Sequence, residues 1–520
     1  MKKSDKTSGD DQSYTELNPP NSRKSQHMLP SPPKTTGQNT LQINLETFYE
    51  HFEKALEEGY AALFAGAGLS KSSGFVDWKE LLRGIATDLG LDVDRESDLV
   101  ALAQYHVNTN LSRARLNRLL IEEFTKDAKL TENHRLIAGM PIKTVWTTNY
   151  DQLLEQAYRE VGKRPDAKIN QVDLATTIPK RDVTIYKMHG DFSQPQNAVL
   201  TKEDYETYNE HRALFSEKLK GDLIEKTFLF LGFSFTDPNI DYILGRIRAL
   251  LGQNQREHYC IMRRPQKPKG GGQAKARFEY EKTKLELRIA DLKRYGIRAL
   301  MVDEYAEVTA ILKELSRRSH RKDIFVSGSA HDFSPMDRER VDKIARDIGQ
   351  AIIRKGYNLI SGFGLGIGGE VILGAMEELY TDDKSAIEDR TMFRPFPQKP
   401  PRGMTQRAFF TRYREEMIAN AQFVVFLSGN KLEPGTGKTA IASGVLEEFE
   451  IAKRLGKYPI PVGATGHAAH RIWEEVNGSL DRFFPNGGVK GYFQTLGNTG
   501  TTNEKIIEAI FAVVKRAISK

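Results

Sequence analysis

The chain contains a single cysteine, Cys260, among its 520 residues. One thiol excludes an intramolecular disulfide framework and any multi-cysteine zinc site. Following the strand-like His258-Tyr259, it reads as a small core residue. No run of eighteen apolar residues occurs, and the start lacks the apolar h-region of a secretory leader, so a soluble protein in a reducing cytoplasm, with no membrane association, is expected. Charge of one sign is also scarce: Lys+Arg 76 against Asp+Glu 69 leaves +7, a mixed surface. Only Arg263 to Lys269 and Arg317 to Lys322 gather basic residues. Both stretches fall in apparent connectors and read as solvated linker faces, so no nucleic-acid partner is expected. His467 and His470 stand three apart in a glycine-rich stretch and read as surface residues, so no metal is expected.

What is present is a repeated α/β pattern. The length exceeds one ordinary core and implies two or three domains. Residues 1–41, rich in Ser, Pro, Lys, Gln and Asn, carry almost no apolar periodicity and are expected to be disordered. Order begins with a helical pattern, Phe48, Phe52, Ala55 and Leu56, leading into the apolar run Ala61 to Phe64 and then Ala65-Gly66-Ala67-Gly68-Leu69-Ser70. A strand followed at once by Gly-x-Gly lets backbone approach a pyrophosphate with amide N–H groups toward the anion. The same glycines also serve as mere tight turns. Helical patterns from Trp78 to Met140 form an insertion larger than a βαβ crossover needs.

Lys143 to Thr148 is a second buried strand ending in Asn149-Tyr150-Asp151, Tyr186 to Asp191 contains the end of a third, and Thr227 to Leu231 is a fourth, followed by Gly232-Phe233-Ser234-Phe235-Thr236-Asp237. Ser234 or Asp237 at that exit would cap the next helix or hold a ribose hydroxyl. A long charged helix (274–295), a strand and a helix close the first domain, 42–318. A second unit, 323–520, opens with Ile324 to Ser329, including Ser327-Gly328, and reaches Gly364, Gly366 and Gly369 in G-x-G-x-x-G spacing between a strand and a helix, which points to a nucleotide or phosphate site. Arg394 precedes a proline-rich turn, and Arg407, Arg412 and Arg414 crowd a helix start. Gly437-Lys438-Thr439 lacks the glycine five residues earlier that a Walker A loop requires, so no ATPase is expected. The expected architecture is α/β, two doubly wound parallel-sheet (Rossmann-like) domains with a helical insertion in the first.

Asn149, Asp151 and His189 offer polar chemistry at strand ends. An Asn positions water or ribose beside a breaking C–N bond, and a His takes a proton from a hydroxyl or water. With a phosphate cradle alongside, a dinucleotide cleaved at its glycosidic bond fits. The bland alternative is that Asn149 caps the following helix and His189 is a satisfied buried imidazole.

Gly66-Ala67-Gly68-Leu69-Ser70, Thr148-Asn149-Tyr150-Asp151, Lys187-Met188-His189-Gly190 and Gly232 to Asp237, in this order, resemble the NAD-binding core of the sirtuin superfamily over residues 42–318. The resemblance implies NAD+ as substrate, with Asn149 at the nicotinamide riboside and His189 as general base. Ala65, Gly66, Gly68, Ser70, Asp151, Gly232, Ser234 and Asp237 would hold the dinucleotide, the last two on its adenosine side. The four-cysteine zinc ribbon of protein-deacylating sirtuins is missing, which favours NAD+ hydrolysis over protein deacylation. A non-catalytic nucleotide-binding switch is the third reading. Residues 323–520 resemble the SLOG nucleotide-sensing family, without the intact P-G-G-x-G-T-x-x-E motif of its hydrolase relatives. The combined order resembles the NADase effectors of bacterial Thoeris anti-phage systems. That resemblance implies activation by a cyclic ADP-ribose isomer made by a TIR-domain partner enzyme, and a homotetramer or larger homo-oligomer. The effector pocket would include Ser327, Gly328, Gly364, Gly366, Arg394, Arg414, Lys431 and Glu448.

Overall fold

Apolar runs without interruption, such as Ala61–Ala65 and Thr227–Leu231, require cover on both faces, and the chain provides it by alternating strands with helices. The structure, a computed structural model, describes residues 43–235, 237–381, 387–397, 399–433 and 435–518. The segment 1–41, expected to be disordered, lies outside the described residues. Seven strands, β1 (Ala61–Ala65), β2 (Thr144–Thr147), β3 (Pro165–Lys168), β4 (Val183–Lys187), β5 (Thr227–Leu231), β6 (His258–Arg263) and β7 (Ile297–Val302), form one sheet. Its order is β3-β4-β2-β1-β5-β6-β7 and every pair is parallel. Later in the chain come β8 (Asp323–Ser329), β9 (Asn358–Ser361), β10 (Thr391–Phe393), β11 (Phe423–Ser428), β12 (Asn430–Leu432), β13 (Thr439–Ile441) and β14 (Tyr458–Pro461). Five of them build a second parallel sheet, β10-β9-β8-β11-β14, while β12 and β13 form an antiparallel hairpin.

Side-chain alternation divides the first core. Leu63 and Ala65 of β1 face a cluster with Phe48, Phe52 and Tyr158, and Ala62 and Phe64 face one with Trp146, Phe215 and Phe230. The helix Leu45–Glu57 starts where the Asn44 side chain accepts the Glu46 amide at 2.9 Å, and its i, i+4 pattern buries Phe48, Phe52 and Leu56. Between β1 and β2, helices Trp78–Leu81, Arg83–Asp88, Leu99–Asn110 and Ala114–Phe124 enclose a separate small core of Leu82, Ile85, Leu102, Leu116 and Leu120. Tyr150, directly after β2, belongs to that core, so the insertion rests on the strand exit.

The basic stretch after 316 departs from the expected solvated linker. Arg318 is buried, with its guanidinium bonded to Glu46 at 2.8 and 2.9 Å and to Glu314 at 2.5 Å, and lies over the Tyr49 ring. Arg321 pairs with Glu53 and Lys322 with Glu57. A mixed-charge sequence hides this, because the partners lie on the first helix of the described chain. Arg263, over the Tyr305 ring, and Arg264, paired with Asp303, stay at the surface in keeping with a solvated face. Among the described residues, no helix is long and apolar enough to cross a membrane.

Candidate active site and candidate effector cavity

Register brings the first set of motifs level. Ala65 of β1 pairs with Thr147 of β2 and with Leu231 of β5, and Thr147 pairs with Lys187 of β4. The residues that follow, Gly66, Thr148, Met188 and Gly232, therefore leave the sheet along one edge. The chain first moves from β1 to β2 and later returns to β1's other side as β5, so this edge includes a topological switch point.

At that point two glycine loops interlock. The Gly66 amide donates to Leu231 O at 2.8 Å and the Gly68 amide to Gly232 O at 2.9 Å. A Cβ on Gly66 would lie 2.5 Å from Gly232 O, and one on Gly68 would lie 2.8 Å from Gly232 Cα. The expectation that these two amides point at a phosphate is thus corrected: both already donate to carbonyls, and the missing side chains let β1 and β5 exits touch. Ala65, one residue earlier, is fully buried in the core under the edge.

Beyond the loops lies a cleft of about 140 Å³. Ser70, Thr148, Asn149, Asp151, His189 and Tyr205 line its polar side, and Phe75, Trp78, Leu81 and Phe124 of the insertion roof it. Asn149 Nδ2 donates to Gly66 O at 3.1 Å and to Ser70 Oγ at 2.8 Å, and Ser70 Oγ donates to Asp151 Oδ2 at 2.7 Å. Asp151 Oδ1 accepts the amide of Leu153, the first residue of the helix Leu153–Glu160, at 3.0 Å, and Asn149 does not cap that helix. Asn149 Oδ1 is buried and has no partner among the described residues. A buried acceptor left open costs stability, which marks it as a position for a ligand or water donor.

His189 is also buried, but it is not a satisfied core imidazole. Its Nε2 lies 3.0 Å from Asp237 Oδ2. Asp237 Oδ1 accepts the Asn239 and Ile240 amides at 3.0 and 3.1 Å, capping the helix Pro238–Leu251, and the Tyr205 hydroxyl is 3.4 Å from Oδ2. Burial works to raise the Asp237 carboxyl, but the His189 imidazole and the two amides outweigh it and hold it below the ordinary carboxylate range. The structure thus places Asp237 beside His189, where an adenosine-side contact had been expected. Ser234 is exposed and Gly232 lies at the loop contact, both outside the cleft lining.

Beneath the edge sits a buried ionic cluster that local pattern did not reveal. Lys187 Nζ contacts Asp191 and lies 3.3 Å from Glu155 Oε1 and 2.5 Å from the Asp151 carbonyl oxygen. Burial pulls the ammonium down, and Glu155, Asp191 and Asp151 raise it overall. The cluster ties β4 to the Asn149–Asp151 turn.

A second cavity, about 1170 Å³, opens at the C-terminal ends of β8 and β11, the switch point of the second sheet. Ser327, Gly328, Gly364, Arg414, Lys431 and Glu448 all line it. Gly364 packs so tightly on β8 that a Cβ would fall 1.8 Å from Gly328 O. Arg414 donates to Glu447 at 2.9 Å and Glu448 at 3.3 Å, with the Phe396 and Phe410 rings against its guanidinium. Burial raises the Glu448 carboxyl, opposed by Ser327 and Arg414. Two expected residues stand outside the lining. Gly366, at φ +77, turns the loop against Ala330, and Arg394 Nη1 lies 3.4 Å from Glu416. Arg407, Gln406 and Phe410 line the cavity instead; Arg407 and Arg414 are two turns apart on helix Gln406–Ala419, a spacing visible in sequence. Gly437 and Lys438 are exposed in the β12–β13 hairpin connection, away from any strand-to-helix loop.

Comparison with known proteins adds the following. A family model described as the Sir2- and TIR-associating SLOG family (STALD) matches residues 307–517, and a SIR2-like domain model matches residues 143–288. The chain is 43% identical over 478 residues to the NAD(+) hydrolase ThsA of Cytobacillus dafuensis, covering 90% of this chain and 96% of that protein. It is 42% identical over 474 residues to the ThsA of Bacillus cereus (strain MSX-D12), covering 91% and 98%. A defense-associated sirtuin 2 of Bacillus subtilis is 26% identical over 217 residues, 40% of this chain and 21% of that one.

Proposed function

The chain belongs to the family of ThsA NAD(+) hydrolases, and from that premise we propose that it splits NAD+ into nicotinamide and ADP-ribose in the Asn149–His189 cleft, under control of a cyclic ADP-ribose isomer bound in the second cavity. The observation that carries the first half is the pairing, in one cleft, of an acceptor without a partner among the described residues, Asn149 Oδ1, with a buried imidazole. In this reading water attacks C1′ of the nicotinamide riboside. Its oxygen forms the new bond while the C–N bond breaks with its electron pair leaving on nicotinamide. Asn149 Oδ1 orients the water or a ribose hydroxyl, and His189 receives the proton. Ser70 and Asp151 fix the Asn149 amide so that only its oxygen is offered to the cleft.

The cleft is smaller than the ~300–1,000 Å³ that ligand pockets usually provide, which supports a closed, resting arrangement under the Phe75, Trp78 and Phe124 roof. The second cavity is large enough for a nucleotide, and its cations and carboxylates match pyrophosphate and ribose hydroxyls. One contact in the packing supports communication between the two. Helix Gln406–Ala419 carries Arg414 and also Glu416, and a Cβ on Gly162 would lie 3.5 Å from the Glu416 carboxyl. Gly162 follows the helix Leu153–Glu160, whose other end begins at the Asp151 turn. Regulation then requires that the effector bind the open arrangement more tightly than the closed one. The reading includes a division at 42–318 and 323–520, a TIR-domain partner enzyme as effector source, a homo-oligomer and a cytoplasmic location.

The test is nicotinamide release from NAD+ by purified protein, with and without cyclic ADP-ribose isomers and with and without an acyl-lysine peptide. Release stimulated by an isomer and indifferent to peptide is expected, with His189→Ala and Asn149→Ala each slowing it by on the order of 10² or more. Peptide-dependent release would establish a deacylase; NAD+ binding without release would establish a switch.

A further inference from the structure

We propose that Asp237 is a positioning residue for His189, fixing the imidazole tautomer so that Nδ1 is the proton acceptor in the cleft; this rests on the NAD+-hydrolase reading of that cleft. The carboxylate is held at both oxygens. Oδ1 is locked by the Asn239 and Ile240 amides at the start of Pro238–Leu251, leaving Oδ2 toward His189 Nε2 at 3.0 Å. A carboxylate facing a ring nitrogen selects the tautomer that carries hydrogen there. Nε2 is sealed from solvent, with the Asp237 carboxylate close to it but not aligned as a hydrogen bond, whereas Nδ1 has no hydrogen-bond partner among the described residues and is not among the sealed atoms. The basic lone pair therefore faces the cleft that His189 lines. The Tyr205 and Tyr208 rings, edge-on to the imidazole with centroids 5.5 and 6.5 Å away, restrain its rotation.

The proton inventory closes. As water bonds to C1′ and the C–N pair departs on nicotinamide, one water proton passes to Nδ1 and later to solvent. Asp237 stays ionised throughout and stabilises the imidazolium that forms.

Asp237→Asn separates this role from nucleotide binding and from helix capping. Asn caps as well as Asp. If its amide oxygen keeps the Asn239 and Ile240 bonds, its NH2 group faces Nε2 and forces hydrogen onto Nδ1, the wrong tautomer. Nicotinamide release should be followed as kcat and KM for NAD+, in the isomer condition that best stimulates the unmodified protein, alongside the melting temperature. The expected result is a fall in kcat of on the order of 10² or more with KM within about twofold. Asp237→Ser, which keeps a cap but offers neither the charge nor the amide donor, should lose less turnover than Asp237→Asn. A rise in KM with kcat retained would overturn the proposal and return Asp237 to substrate binding; unchanged kinetics, or Ser worse than Asn at equal melting temperature, would overturn it too. His189→Ala run in parallel separates the two levels. If it keeps turnover, the reading of the site is wrong; if it loses turnover while Asp237→Asn does not, only the positioning role fails.

Discussion

Replacing Lys187 by Met tests whether the ionic cluster under the sheet edge holds the site together. Lys187 is fully buried, and its ammonium is the cation between Glu155 and Asp191. Methionine fills much the same volume but leaves both carboxylates without it. Breaking one partner out of a buried pair costs about 3–5 kcal/mol, because a charge then remains buried and uncompensated. At roughly 2–4 °C per kcal/mol for a domain of this size, the melting temperature should fall by about 6–20 °C. The sign with pH follows from each group. Lys187, raised in the fold, contributes stability that is complete below the ordinary lysine value and is lost only as pH rises through its folded value. Asp191 is lifted by burial but held below the ordinary carboxylate range by Lys187, so its contribution is present above that range and lost as pH falls through its folded value. At neutral pH both contributions are therefore complete, and the deficit of Lys187→Met should shrink in acid as the stranded carboxylates take protons. Calorimetric melting at pH 7.5 and 5 measures this. Asp191 keeps the Ser193 amide and the Gln152 side chain, so the double variant Lys187→Met, Glu155→Met should regain about half of the loss. A melting temperature lowered by less than about 3 °C, or a double variant no better than the single, would show that the Lys187 ammonium does not hold this cluster together.

Arg414→Ala should abolish the stimulation of nicotinamide release by cyclic ADP-ribose isomers, since it removes the cation that lies against Phe396 and Phe410 and leaves Glu448 buried without it; stimulation of ordinary size would remove Arg414 from the effector site. His258 is buried and pushed down to about 3, accepting the Phe228 amide at 3.2 Å as a neutral ring. Its depressed folded value means that its contribution is present above the ordinary histidine value and is lost as pH falls through the window from about 6.5 to about 3, so His258→Asn should flatten the fall of melting temperature between pH 6.5 and 4.5; equal slopes in the two proteins would contradict this.

The strand exits that carry chemistry were legible because each is a local pattern, an apolar run broken by Gly, Asn, His or Ser: β1, β2, β4, β5 and β8 all appear at the expected places. Three of the four edge strands, β3, β10 and β14, were not. β3 reads Pro-Asp-Ala-Lys, with no apolar run, and its buried Asp166 and Lys168 satisfy one another at 2.8 Å, so the strand exists by pairing with β4. β10 and β14 also lack a local signature of their own and are held by ladders to β9 and β11. At the site, Asn149 and His189 stood out by residue type, whereas Lys187 gave no sign that it would be buried.

Periodicity and glycine breaks act over a few neighbouring residues, so local pattern was enough to set the parallel α/β alternation, the exits of the central strands along the chain and the residue types presented there. Only the tertiary structure decided which of those groups remain available. The Gly66 and Gly68 amides are occupied by carbonyls of the β5 exit, Arg394 is turned to Glu416, and Arg407 and Phe410 enter a cavity not assigned to them. It also decided that Asp237 meets His189. Each of these depends on sheet order and on the direction of a side chain across a gap between distant segments, and no pattern within one segment encodes the partner on another.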